Sequence, residues 1–165
     1  MKKVASLSFL LCAFMLASPV GAAPAQPIIF LVRHAEKAAD GDAKDPDLSD
    51  VGRARAAALA QLLKNADIRA VYATEFKRTQ QTATPTAEAA GLKVKQISGD
   101  KISTLVAKLH AQHGNALVVG HSNTLPQIIK ALGLPEAGAI ADADYDNLFV
   151  VFPGSTPRLV HLRYR

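Results

Sequence analysis

The sequence predicts an α/β fold, a three-layer α/β/α sandwich built around a mainly parallel β-sheet. Three observations predict it. Short apolar runs rich in β-branched residues alternate with segments of helical periodicity along the chain. The runs are apolar without interruption, which is typical of strands in a sheet that helices cover on both faces. The last two runs are separated only by the turn "PGSTP", which favours an antiparallel strand at one edge.

The N-terminal segment differs from the rest of the chain. Two lysines, an apolar stretch from Val4 to Leu16 and a closing group of small residues have the layout of a secretory signal peptide. We therefore expect residues 1–23 to be a signal peptide and residues 27–165 to form one folded domain in the periplasm or outside the cell. The alternative is an uncleaved membrane anchor, because the apolar run is almost long enough to span a bilayer. The only cysteine, Cys12, lies in this segment, so the folded domain would contain no disulfide.

The charge of the chain is mildly positive. The formal net charge is +5, and Lys2 and Lys3 of the leader contribute two of these charges, which leaves +3 for the rest. This balance suits a small anionic ligand. The sequence has no basic run and no series of aromatic residues, so we expect neither a nucleic-acid partner nor, after cleavage of the leader, a membrane. The oligomeric state is left open.

Six segments are predicted to be strands because each is short, apolar and bounded by turn residues. In chain order they are Ile28–Val32, Ile68–Ala73, Val94–Ile97, Ala116–Val119, Leu148–Phe152 and Leu159–Leu162. The longest irregular piece, residues 36–47, follows the first of them.

Two helical segments precede the third strand. The first follows Gly52, with Ser49 as its N-cap, and its buried face is predicted to consist of Ala54, Ala58, Leu62 and Ala66. The second is Thr79–Ala90. Pro85 lies inside it, so we expect a kink or a break there.

Two further helical segments follow the third strand. Ile102, Leu105, Val106 and Leu109 share the buried face of the first, and Gly114 is predicted to be its C-cap. Pro126 suits the first turn of the last helix, whose apolar residues are Ile128, Ile129 and Leu132.

Charged and titratable residues follow the predicted strands at the points where these end. Arg33 and His34 come directly after the first strand, Arg78 lies in the first helical turn after the second, and His121 follows the fourth. Ligands of open α/β sheets bind beyond the carboxyl ends of the strands. The sequence therefore predicts that two arginines and two histidines converge at one rim of the sheet.

This set of side chains suits a phosphoryl group. Arg33 and Arg78 each offer planar, bidentate donors to phosphate oxygens, and a helix amino terminus after His121 directs its dipole towards the same anion. One of the histidines would attack phosphorus and form a phosphohistidine. The guanidinium charges would keep that imidazole neutral, and no metal or other cofactor would be needed.

Four segments of the chain resemble a known family in the same order. They read "LVRHAEK" at Leu31–Lys37, "LSDVGRARAAALA" at Leu48–Ala60, "VYATEFKRTQQTA" at Val71–Ala83 and "VVGHSNTLPQII" at Val118–Ile129. The family is the histidine phosphatase superfamily, which includes the phosphoglycerate mutases. The resemblance implies that His34 is the nucleophile and that Arg33, Arg78 and His121 complete the phosphate pocket. It implies a metal-independent hydrolase of phosphomonoesters. The sequence does not identify the substrate, and small-molecule and glycan phosphomonoesters are the candidates.

The chain departs from the family pattern at two points. Ala35 replaces a glycine after the histidine, and the insert that supplies a glutamate proton donor in larger members is missing. Three acids remain candidates for the donor: Asp100, Glu36 and Glu75. Asp100 could instead be a helix N-cap, Glu36 a loop residue paired with Lys37, and Glu75 an acid favoured by a helix dipole alone.

Two other functions stay open at this stage. A phospholigand-binding protein could keep the arginine pocket without turnover, and a mutase would return the phosphoryl group to a second hydroxyl. The acidic stretch Asp142–Phe149 precedes the fifth strand and would allow Tyr145 to line the pocket.

Overall fold

The computed structural model describes residues 26–40, 42, 44–135 and 137–165. The predicted signal peptide and Cys12 lie outside the described residues. The ten elements are β1 Ile29–Arg33, α1 Asp50–Leu63, β2 Ile68–Ala73, α2 Lys77–Ala89, β3 Val94–Gln96, α3 Ile102–His110, β4 Asn115–Gly120, α4 Thr124–Ala131, β5 Asn147–Phe152 and β6 Arg158–Arg163. No helix in this part of the chain has the length and apolar character needed to span a membrane.

The strands form one six-stranded sheet in the order β3-β2-β4-β1-β5-β6. The first four in this order are parallel to their neighbours. β5 is antiparallel to β1, and β6 is antiparallel to β5. The predicted mainly parallel sheet and its antiparallel edge are confirmed.

Helices cover both faces of the sheet because successive strand residues point to opposite faces. Ile29 and Leu31 of β1 pack with α3 and α4, whereas Val32 packs with α1 and α2. β4 alternates in the same way, with Val118 on the first face and Val119 on the second. Both faces of the central strands are therefore buried, which explains why their sequences are apolar without interruption.

The start of α1 is as predicted, but its buried face is not. The hydroxyl of Ser49 accepts a hydrogen bond from the N–H of Gly52 at 3.1 Å, so Ser49 is the N-cap. The buried residues are Gly52, Ala56, Leu59 and Leu63, whereas Leu62 of the predicted face is 53% exposed. Alanines occur on every side of this helix, and the choice of face depends on which larger residues reach the sheet.

The chain stays helical through Pro85, so a break at this position is wrong. The hydroxyls of Thr82 and Thr84 accompany the proline and donate to the carbonyls of Arg78 and Gln80, one turn earlier. Because proline has no N–H, the carbonyl four residues before Pro85 lacks its helical hydrogen bond. The two threonine hydroxyls bond other carbonyls of that same turn.

The face of α3 is as predicted, but Gly114 is not its C-cap. Leu105 and Leu109 are buried, whereas the helix ends at His110 with Ala111 as the C-cap. Gly114 instead has a φ of +104° in the turn before β4, where a Cβ would lie 2.5 Å from Cγ of Arg69. A left-handed backbone and a close neighbour both require glycine here.

Candidate active site

His34 lies directly beyond the last residue of β1 and is 4% exposed. Its backbone N–H donates to the carbonyl of Gly120 on the neighbouring β4 at 2.9 Å. Nδ1 of the ring lies 2.8 Å from the carbonyl oxygen of Ala35. A carbonyl only accepts, so Nδ1 carries the proton and Nε2 keeps its lone pair. The backbone thus selects the tautomer whose free nitrogen can act as a nucleophile.

Burial also keeps the His34 ring neutral. Desolvation is the main reason that the pKa of His34 falls from 6.5 to about 3. The bond to Ala35 acts in the opposite direction, and the charges of Arg33 and Arg78 lower the pKa further. At neutral pH the ring is therefore uncharged, as a nucleophile at phosphorus must be.

Arg33 is the last residue of β1 and is also 4% exposed. Its Nη1 donates to the carbonyl of Ala141 at 2.8 Å, and its guanidinium carbon lies 4.4 Å from the centre of the Tyr145 ring. The same ring lies 5.9 Å from that of His34, but Tyr145 is not among the residues that line the cleft, where the sequence placed it. Nε of Arg33 is buried and has no partner among the described residues. The segment before β5 therefore fixes the orientation of the guanidinium while leaving one donor unused.

Arg78 lies in the first turn of α2, where its side chain is 15% exposed. Its guanidinium carbon is 4.3 Å from the centre of the Phe76 ring, and Nη1 is 3.7 Å from a carboxylate oxygen of Asp45. Nε is again buried without a partner in the described part of the chain. Stacking on an aromatic ring suits the planar guanidinium and orients it without occupying all its donors.

His121 follows β4, and its ring centre lies 5.4 Å from that of His34. Nε2 is 2.9 Å from the hydroxyl of Thr74 at the end of β2. Burial first, and then the charge of Arg78, lower the pKa of His121 from 6.5 to about 4, against an upward contribution from Glu75. Both histidines of the site are therefore neutral at pH 7.

The turn into α4 is tight because of Gly120. The N–H of His121 donates to the hydroxyl of Thr124 at 2.9 Å. A Cβ at position 120 would lie 2.9 Å from that same hydroxyl, so only glycine lets α4 begin so close to the strand. The helix begins at Thr124, three residues after His121, as the sequence predicts.

An open cleft of about 830 Å³ lies above the carboxyl ends of β1, β2 and β4. His34, Arg78 and His121 line it, whereas Arg33, which precedes His34 in the chain, is not among its lining residues. The rim is polar, with Lys37, Asn123 and Gln127 among its side chains. The structure therefore brings together the four residues that the sequence predicted to converge at the carboxyl ends of the strands. No group of three or more His, Cys, Asp and Glu side chains within the described ranges is arranged to hold a metal ion.

The structure argues against Glu36 as the proton donor. Its carboxylate takes hydrogen bonds from Nε and Nη2 of Arg55 on α1, the shortest being 2.7 Å. It does not line the cleft. Burial alone would raise the pKa of Glu36, but the bonds from Arg55 outweigh this and lower it. Its alternative as a partner of Lys37 is also wrong, because Arg55 takes that place.

Glu75 and Asp100 both line the cleft. Glu75 accepts from the hydroxyl of Ser98 at 3.4 Å and from the N–H of Gly99 at 3.3 Å, across the gap between β2 and the turn after β3. Asp100 is not a helix N-cap, because that position belongs to Lys101 and has no side-chain cap. Its side chain is 70% exposed and lies 3.7 Å from Nζ of Lys101.

Two supporting residues were missed from the sequence. Thr74 bonds His121, and Thr82 accepts the N–H of Ala35 at 3.0 Å next to the nucleophile. Thr74 comes directly after β2, and the rule that selected Arg33 and His121 would also have selected it. Thr82 lies inside α2, and nothing local in the sequence marks it.

Comparison with known proteins gives a consistent result. Residues 29–100 match the family model of the histidine phosphatase superfamily, branch 1. No curated protein matches the chain in sequence. Mycobacterial glucosyl-3-phosphoglycerate phosphatase Rv2419c, solved with inorganic phosphate, is similar in fold, with a TM-score of 0.64, 17% identity and coverage of 82% of this chain and 95% of that chain. The protein histidine phosphatase SixA, solved with tungstate, has a TM-score of 0.65 at 17% identity, with coverage of 82% and 96%.

Proposed function

We propose that the chain, whose residues 29–100 match the histidine phosphatase superfamily, hydrolyses phosphomonoesters through a phosphohistidine formed on Nε2 of His34. The observation that carries the proposal is the His34 ring, which is buried, neutral and held by the Ala35 carbonyl in the tautomer with a free Nε2. An imidazole in this state can attack phosphorus without first losing a proton.

The reaction has two steps. In the first, Nε2 attacks phosphorus, the P–N bond forms and the P–O bond to the alcohol breaks. In the second, water attacks the phosphohistidine, the P–N bond breaks and inorganic phosphate leaves. Arg33 and Arg78 would hold the equatorial oxygens in both steps, with His121 beside them, and their charges would stabilise the transition state without a metal.

The substrate class is that of small-molecule or glycan phosphomonoesters. The cleft is open, and hydroxyl and amide side chains such as Ser122, Asn123 and Gln127 line it, which are suited to hydrogen bonds with a hydroxyl-rich leaving group. The two structures of similar fold are named as a glucosyl-3-phosphoglycerate phosphatase and a protein histidine phosphatase. The predicted leader, residues 1–23, would place the protein in the periplasm or outside the cell, and this favours the first kind of substrate.

The test is a comparison of wild-type protein with His34→Ala, using an aryl phosphate in the presence of a strong chelator. Wild type should turn over under these conditions, and His34→Ala should lose both hydrolysis and the acid-labile phosphoenzyme trapped at short times. His110→Ala, which removes an exposed histidine of α3, is the matched control and should keep both. Near wild-type turnover by His34→Ala would show the mechanism to be wrong.

A further inference from the structure

We propose that Glu75 is the general acid that protonates the leaving alcohol when the ester bond breaks. This inference rests on the proposed phosphatase function and adds the residue that the sequence leaves unassigned. As the bond between phosphorus and the ester oxygen breaks, the Glu75 carboxyl gives its proton to that oxygen, and neutral alcohol departs. In the second step the carboxylate takes a proton from the attacking water, so that Glu75 and His34 return to their starting states.

The reaction needs a proton donor that neither histidine can supply. An alkyl phosphate would otherwise expel an alkoxide, which is a very poor leaving group at neutral pH. His34 is the nucleophile and cannot also protonate the leaving group in the same step, and Nε2 of His121 is already bonded to the hydroxyl of Thr74 at 2.9 Å. The arginines stay protonated in any protein and cannot serve. The donor must therefore be a carboxyl group, a water molecule or a group of the substrate.

The lining of the cleft reduces the choice among carboxyl groups. Of the described residues that line it, only Glu75 and Asp100 are acids. Glu36 is bound to Arg55 away from the cleft. The side chain of Asp100 is 70% exposed and lies 3.7 Å from Nζ of Lys101, so water and a lysine compete with the substrate for its carboxylate. Glu75 is the acid that remains.

The position of Glu75 fits a group that acts on the substrate. It follows Thr74, whose hydroxyl contacts His121, and it precedes Phe76, whose ring packs against Arg78. Its charge influences two phosphate-binding residues, because it acts to raise the pKa of both His121 and Arg78 against the larger effect of burial. The carboxylate is therefore close to the place where the phosphoryl group would lie.

Two hydrogen-bond donors in the turn after β3 orient the carboxyl group of Glu75. The hydroxyl of Ser98 contacts Oε1, and the N–H of Gly99 contacts Oε2. Both donors belong to the turn between β3 and α3, on the side opposite His34 across β2. The two distances, 3.4 and 3.3 Å, are long for hydrogen bonds, so the carboxyl group is directed without being saturated. A purely structural role, in which Glu75 only joins β2 to this turn, is the competing explanation that an experiment must exclude.

The experiment compares two substrates that differ in their need for a proton. 4-Nitrophenyl phosphate releases a phenolate that leaves without protonation, whereas glycerol 2-phosphate releases an alkoxide unless an acid assists. Glu75→Gln should reduce kcat/KM for glycerol 2-phosphate by about a hundredfold or more, the usual contribution of a general acid, and for 4-nitrophenyl phosphate by much less. Glu88→Gln, an exposed glutamate at the far end of α2, is the matched control and should leave both rates unchanged.

Each outcome separates this inference from the proposed function. An equal loss on both substrates would mean that Glu75 is structural, and no loss would mean that another group supplies the proton. Asp100→Asn should keep the wild-type ratio between the two substrates, and a selective loss there would transfer the role to Asp100. If wild type hydrolyses neither substrate, the proposed function itself fails. If wild type is active, His34→Ala is inactive and Glu75→Gln behaves as wild type, only the present inference is wrong.

Discussion

Acidification should destabilise the protein through the two histidines of the candidate site. The pKa of His34 is lowered from 6.5 to about 3 and that of His121 to about 4, in both cases chiefly by burial. The unfolded chain binds a proton on each ring below pH 6.5, but the folded protein does not. Folding stability is therefore fully present above pH 6.5 and is lost progressively as the pH falls towards the folded pKa values.

The size of this effect follows from the pKa shifts. One pKa unit corresponds to about 1.4 kcal/mol. A ring that stays neutral in the folded protein at pH 4.5 therefore lowers the free energy of unfolding by about 2.7 kcal/mol relative to pH 7.5. His34 is almost fully buried and should contribute about that amount. His121 is only half-buried, and solvent screening reduces its share to roughly 1–2 kcal/mol. Together the two histidines should remove about 4 kcal/mol, a large fraction of the stability of a typical domain.

The assay is urea unfolding at pH 7.5 and pH 4.5, in buffers without phosphate, so that no anion occupies the site. Other groups titrate over the same range, and the informative quantity is the change in pH dependence between variants. His34→Gln should reduce the loss of unfolding free energy by about 2.7 kcal/mol, and His121→Gln by less. His110→Gln is the control for removing a surface histidine. If the variant that lacks both site histidines shows the same pH dependence as wild type, these rings are not held neutral by burial, and the account of the nucleophile is wrong.

Two further predictions concern the phosphate pocket and the leader. Arg78→Lys keeps the charge but loses the planar fork stacked on Phe76, so turnover should fall by about a hundredfold while affinity for inorganic phosphate falls less. Kinetics would measure the turnover, and calorimetry the affinity for inorganic phosphate. If both are unchanged, Arg78 is an ordinary surface cation. If both fall equally, a binding protein is favoured over a catalyst. Mass spectrometry of the protein from an exporting bacterial host should find a mature N-terminus near residue 24 in the soluble periplasmic fraction, whereas an intact chain in the membrane fraction would indicate an anchor.

The architecture was predictable because its signals are local. Each strand is an apolar run whose residues alternate between two buried faces, and this leaves the same trace in β1 and β4. The antiparallel edge follows from a turn too short for a crossover helix. The buried face of α1 was not predictable, because alanines occupy several faces and only contact with the sheet selects Leu59 and Leu63. The role of Gly114 was not predictable either, because the close contact that a Cβ would make there is with Arg69, a residue distant in sequence.

The candidate site was predictable to the extent that it follows strand ends. Arg33 is the last residue of β1, His34 and His121 come directly after strands, and parallel neighbours bring those positions together. The groups that orient them come from elsewhere in the chain. The carbonyl that binds Arg33 belongs to Ala141, 108 positions away, and His121 depends on Thr74, 47 positions away. Such partners depend on how the segments pack together, and no local pattern in the sequence reports them.

The position of Glu36 shows how packing determines which acid can serve as the proton donor. Glu36 is two residues from His34, and an extended chain would have placed both side chains on one side. The helix α1 prevents this. The N–H of Ser49 donates to the carbonyl of Glu36 at 2.9 Å, and a Cβ at position 52 would overlap that same carbonyl oxygen. Because position 52 is glycine, α1 lies directly against this backbone, and the Glu36 side chain reaches Arg55 on the helix instead of the cleft. The acid nearest to the nucleophile in sequence thus becomes a structural ion pair, and the acid that we propose for the chemical role, Glu75, comes from the loop between β2 and α2.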